Sequence, residues 1–151
     1  MDDAETCPIP VVGPIDVEID ERAWPLVTIT THAPLRVATA SRLVVRLTRW
    51  CVQGAPFGLA WVDKTYSAAP ADAAALRLFV WWLARYRDDL RTCCAGIALV
   101  PGRDSRPQLL DALPGIADSA LTPLAALADA SAAGTWLRSH LALRGWLAYC
   151  A

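Results

Sequence analysis

Apolar and acidic residues alternate strictly over Ile15-Asp16-Val17-Glu18-Ile19-Asp20, and a period of two predicts a half-buried strand with one wet face. Glu21-Arg22-Ala23 is a polar break before Trp24. Pro25–Thr31 is rich in β-branched residues and alternates again from Val27. Two such runs around a short polar link predict an antiparallel hairpin. After Pro34 the period lengthens. Val37, Ala40, Val44, Leu47 and Cys51 recur at three- and four-residue steps, with Arg42, Arg46 and Arg49 on another face, so an amphipathic helix should end near Gly54.

Pro56–Val62 is a short apolar run closed by Asp63, as a buried central strand would be. A loop from Lys64 to Ala69 then reaches Pro70, which suits the first turn of a helix, with Asp72 placed to complement the helix dipole. That helix should run over about 70–92. Ala95–Val100 reads as a second central strand, stopped by Pro101-Gly102. Leu109–Leu113 suits a short helix, and residues 116–128 fit either a short edge strand or a helical turn. A last helix, starting at Asp129, Ser131 or Thr135, carries Trp136, Leu137, Leu141 and Leu147, and Gly145 interrupts it. Residues 1–14 form an irregular lead-in and 15–151 a single domain. The expected fold class is α/β: a mixed, mostly parallel sheet with an N-terminal β-hairpin and helices packed on it.

The 70–92 helix carries the candidate functional surface. At about 100° per residue, Leu76, Phe79, Val80, Leu83 and Leu90 share one stripe, which should face the core. Trp81 lies almost opposite, among Arg77, Arg85 and Asp88, while Leu78 and Trp82 occupy the flank. A core accepts one face of a helix, which leaves a second apolar cluster of Leu78, Trp81 and Trp82 rimmed by Arg77 and Arg85. Exposed apolar patches with Trp and Arg mark contact surfaces. The alternative is that the N-terminal extension or the C-terminal tail covers these tryptophans.

Composition narrows the classes. The chain has 151 residues, 55% of them hydrophobic, which is ample material for one core. Fourteen basic residues balance fifteen acidic ones, giving a net charge of −1 that supplies no general drive toward nucleic acid or anionic membrane. Lys64 is the only lysine, and the arginine and alanine bias fits a GC-rich genome. Spanning a bilayer takes roughly 18–20 apolar residues in a row. The longest stretches without formal charge, Ala23–Leu35 and Trp50–Val62, are shorter and contain Pro. The acidic N-terminus lacks the form of a signal peptide, so the expected location is cytoplasmic.

Five cysteines, Cys7, Cys51, Cys93, Cys94 and Cys150, make an odd set with no Cys-x-x-Cys pair. With only His32 and His140 to help, neither a disulfide framework nor a zinc site is expected, and no cofactor. The thiols read as small buried hydrophobes. No nucleophile elbow, phosphate loop or dinucleotide turn occurs. Asp88-Asp89 are adjacent on a helix and diverge, so they cannot share a proton.

Three functions follow in order. The first is a non-catalytic interaction module that binds a protein partner or forms a homodimer. The second is a carrier of an apolar small molecule, with Phe57, Trp61 and the tryptophans of the last helix lining a cavity. The third is an enzyme with a Cys or Ser nucleophile that no motif identifies.

The order of elements resembles the STAS domain, the fold of bacterial anti-sigma-factor antagonists and of the cytoplasmic tails of sulfate transporters. More narrowly, it resembles uncharacterised STAS-like proteins that pair an arginine- and tryptophan-rich second helix with a Cys-x-Gly-Ile-Ala strand. The residues carrying the likeness are Asp16–Arg22, Val27–Thr31 and Phe57–Asp63, then Arg77, Trp81 and Arg87, then Cys94, Gly96, Ile97 and Ala98, and last Trp136-Leu137-Arg138. It spans residues 15–143 and implies a regulatory, protein-binding role. Antagonists of that family carry an Asp-Ser-Ser-Gly-like turn before their second helix, where a kinase phosphorylates a serine. Here the turn reads Asp63-Lys64-Thr65-Tyr66-Ser67-Ala68-Ala69-Pro70, without the glycine or the paired serines. Thr65 and Ser67 are the hydroxyls that the resemblance places near the phosphorylation site, beside a helix N-terminus that would accept phosphate.

Overall fold

The computed structural model describes residues 16–64, 72–101 and 122–146. The alternating segment forms β1 (Val17–Asp20) and β2 (Leu26–Thr31), paired antiparallel with Ile19 opposite Ile29. Two side chains hold the turn between them. The Asp20 carboxylate accepts from the Arg22 backbone N–H at 3.0 Å and from its Nη2 at 2.8 Å. Hydrogen bonding to Arg22 lowers the Asp20 pKa to about 2. Glu21 reaches the other way, accepting from Trp50 Nε1 and from Arg46 Nη1 at 3.0 Å, and so fastens the turn to the first helix.

That helix, α1 (Val37–Gln53), ends where Gly54 adopts φ 66°, a left-handed value that glycine takes without steric cost, and its N–H caps the Cys51 carbonyl. Strand β3 (Phe57–Asp63) follows and pairs parallel to β2. Asp72 caps α2 (Ala73–Arg85) by accepting from the Ala74 N–H at 3.0 Å. Then come α3 (Arg87–Cys93), β4 (Cys94–Val100) and the short β5 (Leu124–Ala126). Asp129 caps α4 (Ala130–Leu143), accepting from the Ala132 N–H at 2.7 Å, which settles among the three possible starts of the last helix.

The result is a five-stranded mixed sheet in the order β1-β2-β3-β4-β5, antiparallel only between β1 and β2, with helices packed against it. The α/β fold class, the hairpin and both central strands are as the hydrophobic pattern predicts. Within the ambiguous stretch 116–128, Leu124–Ala126 form a parallel edge strand, with Ile97 opposite Leu124, and residues 116–121 lie outside the described residues. Residues 1–15 with Cys7, residues 65–71 with Pro70, residues 102–121 with Leu109–Leu113, and residues 147–151 with Leu147 and Cys150 lie outside the described residues. None of the described helices is long and apolar enough to cross a membrane.

The period of two along β3 divides the core. Phe57, Leu59 and Trp61 point to the face covered by α1, α2 and α3, where they meet Leu43, Trp50 and Phe79. Trp50 and Phe57 lie 5.5 Å apart between ring centres, and Trp61 lies 5.1 Å from Phe79. The intervening positions, with those of β4, present Ala60, Val62, Ala98 and Val100 to α4 and its Leu137. Glycines let α4 approach closely. A Cβ on Gly58 would sit 3.3 Å from Leu137 Cδ2, and one on Gly96 would sit 2.9 Å from the Trp136 ring.

Two helix readings need correction. The expected 70–92 helix is two helices, broken at Tyr86, whose ψ of 18° ends α2 and begins α3. On α1 the buried stripe includes Leu43 and Trp50, whereas Val37 is exposed. Trp50 is drawn inward because its indole N–H finds a carboxylate there, in Glu21.

Candidate interaction surface

Helices α1 and α2 lie side by side on one sheet face, and a hydrogen-bond relay locks them together. Trp82 Nε1 donates to Thr48 Oγ1 at 2.8 Å, and that hydroxyl donates to the Val44 carbonyl at 2.6 Å. Trp82 is therefore buried, with 1% of its surface exposed, and the ring of Tyr86 stacks on it at 5.3 Å. This overturns its expected place on the outer flank. The buried stripe of α2 runs through Ala75, Phe79 and Trp82, with Leu78 and Leu83 half-buried against the same core. Leu78 thus belongs to the edge of the core rather than to an outer cluster. The Leu76 and Val80 stripe is displaced because the indole, with both its large area and its N–H, takes the central position.

The other expected surface residues are outside. Trp81 is 59% exposed, and Arg77 and Arg85 are exposed beside it. Arg85 also lies over the Tyr86 ring at 5.5 Å, within cation–π range. Thr65 and Ser67 lie outside the described residues.

The sequence reading missed the contribution of α1. Val45 is 64% exposed and Val52 77%, and Arg42 and Arg49 are exposed on the same outer side. A signal was present: Val45 and Val52 are seven residues apart, two turns, on the side assigned to the arginines. Arg46 is engaged by Glu21 and half-buried. The outer surface of the pair therefore combines Trp81, Val45 and Val52 with Arg42, Arg49, Arg77 and Arg85.

Elsewhere the chemistry is muted. His32 pairs with Glu18 at 3.2 Å, and His140 lies 4.2 Å from the Trp136 ring. Cys51, Cys93 and Cys94 are buried free thiols. Desolvation pushes the Cys94 thiol up to about 12, and contact with Cys93 together with burial raises Cys51. The thiolate is the reactive form, so Cys51 and Cys94 should resist iodoacetamide in the native protein and label once denaturant is added. Peptide mass mapping reads this directly, and rapid native labelling of Cys94 would contradict its burial. Phe57 and Trp61 fill the face under α1 and α2 while Trp136 packs on the opposite face, so these residues do not line one cavity.

No protein-family model matches the chain, and no curated protein matches it.

Proposed function

We propose that this protein is a non-catalytic, regulatory protein-interaction module of STAS-like fold, acting in the cytoplasm through the outer surface of α1 and α2. The observation that carries the reading is the contrast between neighbours. Trp82 is buried with its N–H satisfied, yet Trp81 leaves 59% of its surface in water, and Val45 and Val52 on the adjacent helix are more exposed still. Large aromatic side chains left exposed within an apolar patch contribute disproportionately when a partner desolvates them.

Replacing Val45 and Trp81 with serine tests the reading. The double variant should unfold at nearly the same urea concentration as the wild type, because both side chains are exposed, while affinity capture from the source organism loses the proteins that the wild type retains. A variant that retains the same set at the same yield would sink the reading.

A further inference from the structure

The charge on this surface is one-sided. The chain as a whole is balanced at −1, but the charged residues of α1 and α2 are Arg42, Arg46, Arg49, Arg77 and Arg85, without an Asp or Glu in either helix. Glu21 engages Arg46 from the β1–β2 turn, and Asp72, Asp88 and Asp89 stand at or beyond the ends of α2. Arg42 and Arg49 remain exposed on α1 with Val45 and Val52, as Arg77 and Arg85 do on α2 with Trp81.

We infer that the surface docks an acidic amphipathic helix of a partner protein, whose apolar side covers Val45, Val52 and Trp81 while its carboxylates meet the arginines of α1 and α2. This rests on the proposed interaction role and names the partner's chemistry. Three considerations favour it over other occupants. A two-fold dimer through this face would set arginines against arginines, since an isologous interface meets itself, and like charges brought together oppose association. A membrane-binding face takes its hold from long side chains such as Leu, Phe and Trp sunk into the acyl boundary. Here the apolar residues are two short valines and one tryptophan. Two packed helices lie about 8–10 Å apart, so their outer rows offer a third helix a surface of matching width. Residues at i, i+3, i+4 and i+7 of that helix would anchor it. Arginine favours this arrangement because its planar fork binds a carboxylate through two parallel hydrogen bonds.

The test lets the protein select its ligand. A displayed library of helix-forming peptides, randomised on one face, is panned on the whole protein, and the enriched peptides are measured against a variant carrying Arg49→Glu and Arg77→Glu. Both positions are exposed, and circular dichroism checks that the variant folds. Enriched peptides should carry Asp or Glu at i and i+4 beside Leu, Ile or Trp. Their affinity should fall about tenfold or more on the double charge reversal. It should also fall as salt shortens the Debye length from about 30 Å toward 3 Å.

No enrichment, a neutral or basic consensus, or equal binding to the variant would overturn the inference. So would co-sedimentation with phosphatidylcholine–phosphatidylserine vesicles that the charge reversal abolishes, or a dimer of the wild type that it dissociates. If the Val45 and Trp81 serine variant loses captured proteins while the panned peptides are neutral, the interaction surface stands and its acidic partner does not.

Discussion

Alanine at position 82 should cost about 3–5 kcal/mol, the range for deleting a fully buried aromatic side chain, and leave the protein close to unfolding. A domain of this size has roughly 5–15 kcal/mol in total. Two losses combine. The indole vacates the centre of the α1–α2 packing, where 1% of it is exposed, and Thr48 loses the donor 2.8 Å from its hydroxyl. Phenylalanine separates these effects. It keeps most of the bulk but withdraws the N–H, so Trp82→Phe should cost about 1 kcal/mol from the hydrogen bond, together with a small void. Trp81→Ala, one residue away, should stay within about 0.5 kcal/mol of the wild type because its ring is largely in water. Urea unfolding followed by far-ultraviolet circular dichroism ranks all three. Equal destabilisation by Trp81→Ala and Trp82→Ala would contradict the inward turn of Trp82 and the outward turn of Trp81.

Adding a methyl group at Gly96 is the second large effect. Its Cβ would stand 2.9 Å and 3.0 Å from Trp136 ring carbons and 3.4 Å from the Pro123 carbonyl oxygen. The ring must be displaced from β4, and overpacking of this kind costs about 1–3 kcal/mol. The cause can be isolated with a double-mutant cycle. In a Trp136→Ala background the same glycine substitution should cost much less, since the clashing ring is gone. An undiminished penalty there would place the clash at the Pro123 carbonyl instead.

The sheet was legible because its signals are local. The alternation in β1 and β2 and the uninterrupted apolar runs of β3 and β4 each state their burial within seven residues or fewer. The end of α1 at Gly54 was readable for a similar reason, and Asp129 stood among three candidate starts. Asp72, expected within the first turn of a helix starting at 70, instead caps a helix that starts at Ala73. The phase of α2 was not legible, because it depends on a partner distant in the chain. Thr48 lies thirty-four positions from Trp82, and nothing near Trp82 announces it. The break at Tyr86 also lacks a glycine or proline to signal it. The site was half legible: Arg77, Trp81 and Arg85 are exposed as expected, whereas Val45 and Val52 lie on the side of α1 assigned only to arginines. Their exposure becomes meaningful once α2 is known to lie beside α1.

The strand order has a consequence for how the chain is made. Each strand pairs with the strand before it in sequence, so a polypeptide leaving the ribosome can extend the sheet one strand at a time from the N-terminal hairpin. α1, α2 and α3 cover one side as they emerge. The other side, lined by Gly58, Ala60, Val62, Gly96, Ala98 and Val100, is covered by α4. A chain that stops before Asp129 lacks α4, and it should aggregate through the sheet face that α4 covers rather than fold.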